Sequence, residues 1–174
     1  MISEKRNMRG QIKQFDQQEH DLYDKLGKQA ILKYLNAVLP SSLRSIENPN
    51  RFGIDLLSLN EDDQVQFCWE IEVRHGNWQN DTEFPFREIN CIERKDYQWR
   101  KDYEFLKKIP YKLTNNCVVY YVQLNKLCTR AVFIKDSVIL EHELIPWYNR
   151  KSDNEYVRQV PISKTKQVNL GSVA

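Results

Sequence analysis

The sequence predicts an α/β domain with a mixed central sheet, and three observations carry that expectation. A long helical pattern opens the chain after a short basic arm, three strand-like runs follow one another, and a second helical pattern leads into a continuous apolar strand. No repeat, low-complexity tract or shift in composition divides the 174 residues. A single domain is expected, with a basic arm over 1–15, a core over 16–123 and a final strand and tail over 124–174.

The first helix is expected over residues 16–38. Tyr23, Leu26, Ala30, Tyr34 and Ala37 recur at three-and-four spacing, and Leu22, Ile31, Leu35 and Val38 widen the stripe. Asp16 suits the N-cap, with Glu19 placed as its capping-box partner, and Pro40 stops the helix. Residues 42–47 read as a short strand, Asn48-Pro49-Asn50 as a turn, and 52–59 as a second strand. The turn Asn60-Glu61-Asp62-Asp63 leads into a third strand over 64–75. There Trp69, Ile71 and Val73 share one face, and Cys68, Glu70, Glu72 and Arg74 the other. A loop follows, then a short strand over 88–92. A second helix is expected over 96–109, closed by Pro110. Residues 116–123 form the continuous apolar strand, of the kind buried on both faces. Another strand covers 129–135, and the chain beyond Trp147 reads as irregular or short strand.

Composition excludes several classes. With 41% hydrophobic residues and 11% aromatics the chain is not disordered as a whole. The longest unbroken apolar run, 117–122, is too short for a transmembrane helix. No apolar stretch follows the charged start, so a secretory leader is not expected. Cys68, Cys91, Cys117 and Cys128 lie far apart without CxxC spacing, and read as buried thiols in a reducing, cytoplasmic setting. The motifs GxSxG, GxxxxGK[ST] and GxGxxG are absent. Lys and Arg total 26 against 24 Asp and Glu, for a net charge of +2. Two stretches are locally basic: Lys5, Arg6, Arg9 and Lys13, and Arg150, Lys151, Arg158, Lys164 and Lys166. They can touch phosphates or simply be solvated surface.

Asp55 stands in an apolar run, where a carboxylate is costly unless partnered. Glu70 and Glu72 project from one face of the third strand, about 7 Å apart. If the second and third strands pair as a hairpin, Asp55 lies beside them. Three converging carboxylates require a cation, and hard oxygen donors suit magnesium or manganese. On alternation alone the same residues could line a solvated face, with Arg74 paired to Glu72.

Gly53-Ile54-Asp55, the acids of the third strand and the order of elements together resemble the PD-(D/E)XK nuclease superfamily, the restriction-endonuclease-like fold. The resemblance covers residues 16–123. It places Asp55 at the first acid and aligns the second half-motif with either Glu72-Val73-Arg74 or Glu70-Ile71-Glu72. The proline of the motif is missing and its lysine is replaced. The resemblance implies a Mg2+- or Mn2+-dependent endonuclease acting on DNA, with a homodimer expected. Asp55, Glu72 and the Val73 carbonyl would hold the ion, and Glu70 a second ion or the attacking water. Arg74, or Lys95 as a migrated lysine, would stabilise charge on the phosphorus centre, although guanidinium is a poor base. An acid of the first helix often helps hold metal in this family, and Asp24 is the choice here, near a Gly27 that suggests close packing. The alternative is a non-catalytic module on the same fold, binding nucleic acid or a protein. His75 could meet phosphate, and Trp78, Phe84 and Phe86 could stack on bases or cover the sheet.

Overall fold

The computed structural model describes residues 16–147 and 155–172, with the strand backbone of β1 (Lys5–Arg6) and β2 (Ile12–Lys13) before them. Most of the basic arm therefore lies outside the described residues, as do Arg150 and Lys151. The chain then forms α1 (Gln17–Val38), β3 (Arg44–Glu47), β4 (Leu56–Leu59), β5 (Val65–Val73) and β6 (Glu88–Ile92). Next come α2 (Asp96–Trp99), α3 (Tyr103–Lys107), β7 (Leu113–Leu124), β8 (Arg130–Lys135) and α4 (Asp136–Leu140). Three strands finish it: β9 (Leu144–Pro146), β10 (Tyr156–Pro161) and β11 (Lys166–Asn169).

Six strands make one mixed sheet in the order β11-β8-β7-β5-β4-β3, and β6-β10-β9 make a second, smaller one. In the large sheet β5 and β7 run parallel and every other neighbouring pair is antiparallel. The alternation in β5 sorts the two cores. Trp69 and Ile71 join Ile31 and Leu35 of α1 on one face. Cys68 joins Trp99, Phe105, Ile89 and Val160 on the other, where the short helices and the small sheet cover it. Ile31 and Leu35 are fully buried, each contributing about 2 kcal/mol of transfer free energy.

Local chemistry sets α1 in place. The Asp16 carboxylate accepts from the Gln18 and Glu19 backbone N–H groups at 3.0 and 3.1 Å, and Leu39 turns extended ahead of Pro40. Gly27 is the point of closest approach. A Cβ there would stand 2.7 Å from a Val73 methyl and 3.4 Å from an Ile71 methyl. Its absence lets the helix lie against the carboxyl end of β5, which brings Asp24 and Lys28 to the same place.

Three expectations need correction. The strand expected over 52–59 begins only at Leu56, because the chain first turns at Asn50, where Gly53 N–H returns to the Asn50 carbonyl at 3.0 Å. The helix expected over 96–109 is two short helices. Lys101 adopts φ 51° between them, its ammonium reaching the Cys117 carbonyl and, at 3.3 Å, Asp136. The tail, read as irregular or short strand, forms short strands: β10 is the middle strand of the small sheet and β11 an edge of the large one. Arg158, grouped with possible phosphate contacts, is buried, with Asp96 at 2.7 Å and the His142 carbonyl at 2.6 Å. All four cysteines are free thiols, three of them buried. Among the described residues no helix is long and apolar enough to cross a membrane.

Candidate active site

The third strand outlasts its neighbour, and the candidate site grows from that mismatch. β4 starts where Leu56 pairs with Trp69, so Asp55 falls opposite Glu70, just beyond the ladder. The Asp55 carbonyl accepts from Asn48 N–H at 2.9 Å. Its carboxylate takes over for the missing strand: Oδ2 accepts from the Ile71 backbone N–H at 2.8 Å. The other oxygen, Oδ1, lies 2.9 Å from Lys28 Nζ, which also stands 2.8 Å from Asp24 Oδ2 one helical turn earlier.

Glu70 is 8% exposed, so the face it shares with Glu72 and Arg74 is not a solvated one. Glu70 Oε1 holds the Lys95 ammonium, delivered by the 3-10 turn Glu93–Lys95 that follows β6. Glu70 Oε2 accepts from Gln98 Nε2 of α2 at 3.0 Å. Glu72 accepts from the Tyr121 hydroxyl, which β7 places on the same face because Tyr121 pairs with Glu70 in the parallel ladder. The Lys95 ammonium also sits 5.6 Å from the Tyr121 ring centroid. These groups gather toward the carboxyl ends of the two parallel strands, where open α/β sheets usually bind ligands.

Arg74 is differently engaged. Its Nε donates to Gln123, its guanidinium lies 5.7 Å from the Phe84 ring centroid, and burial pulls its pKa below the ordinary arginine value. Gln123 is itself fixed by donating to the Asn90 carbonyl at 3.0 Å. The ring of His75 packs edge-on against Tyr23 at 4.2 Å. Trp78 and Phe84 are buried and cover the sheet, so of the three aromatics considered for base stacking Phe86 alone is exposed.

Charge is unevenly matched here: of four carboxylates, two ammonium groups hold Asp24, Asp55 and Glu70, and Glu72 has the Tyr121 hydroxyl. Burial, and then the charge of Glu70, push Asp55 up to about 6, against the opposing pull of Lys28 and the Ile71 N–H. For Lys28 and Lys95 burial opposes ionisation. Attraction to Asp24 and Asp55 outweighs it at Lys28, and attraction to Glu70, Glu72 and Asp55 outweighs it at Lys95, so both pKa values rise above the ordinary lysine value.

Lysine ammonium groups partner two of the three converging acids, Lys28 at Asp55 and Lys95 at Glu70. Among the described residues no three His, Cys, Asp or Glu side chains stand together closely enough to hold an ion as placed. The donor chemistry nevertheless fits a hard divalent cation. Asp55, Glu70 and Glu72 offer carboxylate oxygens, and Gln98, 1% exposed and bonded to Glu70 through its nitrogen, leaves Oε1 without a partner. Asp24 reaches the cluster through Lys28.

Sequence reasoning named Asp24, Asp55, Glu70, Glu72, Arg74 and Lys95, and missed Lys28, Gln98, Tyr121 and Gln123. Lys28 left one trace, its four-residue spacing from Asp24 on a helix; the others depend on distant elements meeting. A surface depression of about 50 Å3 elsewhere, lined by Trp78, Arg130 and Gln167 among others, includes none of these groups. Comparison of the chain with family models, with curated proteins and with solved structures finds no match in any of the three.

Proposed function

We propose that the chain is a metal-dependent nuclease that hydrolyses DNA phosphodiesters on a restriction-endonuclease-like core. One observation carries the reading: Asp55 from the turn before β4 and Glu70 and Glu72 from β5 gather at the carboxyl ends of parallel strands, where Lys95 from a separate element meets Glu70 and feels the charge of the other two. The order within the large sheet supports it: a helix, three antiparallel strands and, after β6 of the small sheet and a helical segment, a parallel fourth strand.

Asp55, Glu70 and Glu72 would hold the ion, which when bound would polarise a phosphoryl oxygen and acidify a water. The chain's own groups define the rest. Tyr121 and Gln98 fix the rotamers of Glu72 and Glu70 by hydrogen bonds, so the acids are positioned before substrate arrives. Lys95, kept protonated by the acids, is suited to stabilise negative charge on a phosphate oxygen and not to take a proton from water. Arg74, bound to Gln123, serves as a brace for the end of β5.

A second reading has its own observation. Asp55 and Glu70 each already carry an ammonium partner, as suits a binding module that needs no metal. DNA affinity measured with and without calcium separates the two. In the nuclease reading calcium neutralises the acids and tightens DNA binding by wild type, and Asp55→Asn removes that gain. Affinity that only weakens as calcium rises, by ordinary competition for phosphates, favours the module.

A further inference from the structure

Lys28 has no role in the reading above, yet two carboxylates hold it at once. Its ammonium is shared between two carboxylates, 2.8 Å from Asp24 and 2.9 Å from Asp55, and its side chain is 21% exposed. Asp55 is the more buried of the two partners, 14% exposed against 38% for Asp24. Resting on the metal-dependent reading, we infer that Lys28 is a built-in counter-ion for Asp55, which a divalent cation must displace toward Asp24 to bind.

The geometry sets up a direct competition. Each Asp55 oxygen already has one partner, the Ile71 N–H on Oδ2 and the Lys28 ammonium on Oδ1, so an ion that takes Oδ1 meets Lys28 at once. A divalent ion on that oxygen would sit within about 5 Å of the ammonium, where like charges repel strongly in a partly buried setting. Withdrawal of the helix as a body would give up the close packing of Gly27 on Val73 and Ile71. The flexible stem of Lys28 can relieve the repulsion, because Asp24 on its own helix offers a nearby and more exposed place for the ammonium. Asp24 thus becomes the receiving partner of a displaced lysine. In the empty site Lys28 also keeps Asp55 from standing as a buried, unpartnered charge.

The test is Mn2+ binding by calorimetry on the full chain. Lys28→Met keeps the stem and removes the charge, and should bind Mn2+ at least about tenfold more tightly than wild type. Lys28→Arg keeps the charge and should bind no more tightly than wild type. In the wild-type protein the side-chain 15N resonance of Lys28 should move on saturation with Mg2+, a readout that does not depend on either variant folding. Unchanged or weaker Mn2+ affinity in a folded Lys28→Met, a matching gain in Lys28→Arg, or an unmoved resonance at saturation overturns the inference while the metal-dependent reading stands. Absence of Mn2+ binding by wild type and Lys28→Met alike overturns both.

Discussion

Asp55 replaces a strand hydrogen bond with one oxygen and meets Lys28 with the other, so its substitution reports on fold and chemistry at once. Its pKa of about 6 lies above the ordinary aspartate value, so the folded state holds the proton more tightly than the unfolded chain does. The stability linked to that proton is fully present below about pH 4 and is lost as pH rises through 6. Asp55→Asn escapes the loss. Its stability relative to wild type should improve by on the order of 2 kcal/mol between pH 4 and pH 8. Thermal melts at the two pH values check this; an identical difference at both would contradict it. Lys95 and Arg74 should separate just as clearly. Lys95→Ala should lower the cleavage rate per folded molecule about 100-fold or more. Arg74→Ala should act mainly on stability, by about 1–3 kcal/mol, since its partners are Gln123 and Phe84. Equal effects of the two on rate would discard the assignment. Alternation in β5 made the shared face of Glu70 and Glu72 legible. The inward turn of Lys28 was not, because its spacing from Asp24 does not distinguish a lysine that also meets a carboxylate beyond β3 from one paired on its own helix.

Among the elements, the turn before β4 is the one on which the site most depends. A Cβ on Gly53 would stand 2.6 Å from the Lys108 carbonyl and 2.7 Å from Asn48 Nδ2, and neither can yield cheaply. Asn48 already donates to that carbonyl at 3.1 Å and caps the Asn50 N–H at 3.0 Å. Gly53→Ala should therefore cost about 1–3 kcal/mol and displace Asp55, lowering cleavage further than the lost stability explains. Chemical denaturation together with the rate of the remaining folded protein measures both effects, and a wild-type value for each would count against the turn's role. The helix over α1 was legible from its period, its Asp16 cap and Pro40. The break at Lys101 was not: apolar spacing continues through it, and the left-handed residue is held by Asp136 and the Cys117 carbonyl from other elements. Nor was β10, whose buried residues Val157, Arg158 and Val160 do not alternate.

At the scale of the molecule, the small sheet forms the floor on which the site's lysine stands. β6 leads directly into the turn carrying Lys95, and β10 ties that region down through Arg158 and Asp96. Removing the guanidinium leaves Asp96, 13% exposed, with only the outlying Arg100 at 3.3 Å. Arg158→Ala should cost about 3 kcal/mol while leaving the salt dependence of DNA binding unchanged. A shallower dependence would mean that Arg158 meets phosphate after all. The mixed character of the large sheet was visible in the succession of patterns, whereas in the small sheet β10 pairs with β6, 65 to 73 residues earlier, as well as with the nearby β9, and the long-range pairing left no local mark. In the proposed function these acids and Lys95 cut DNA with a divalent ion. Single-turnover cleavage of a DNA duplex in Mg2+ or Mn2+, wild type beside Asp55→Asn, tests it most directly. Cleavage by wild type that EDTA stops and Asp55→Asn abolishes is the predicted result; no cleavage by wild type in either metal, or an undiminished rate in Asp55→Asn, would contradict it.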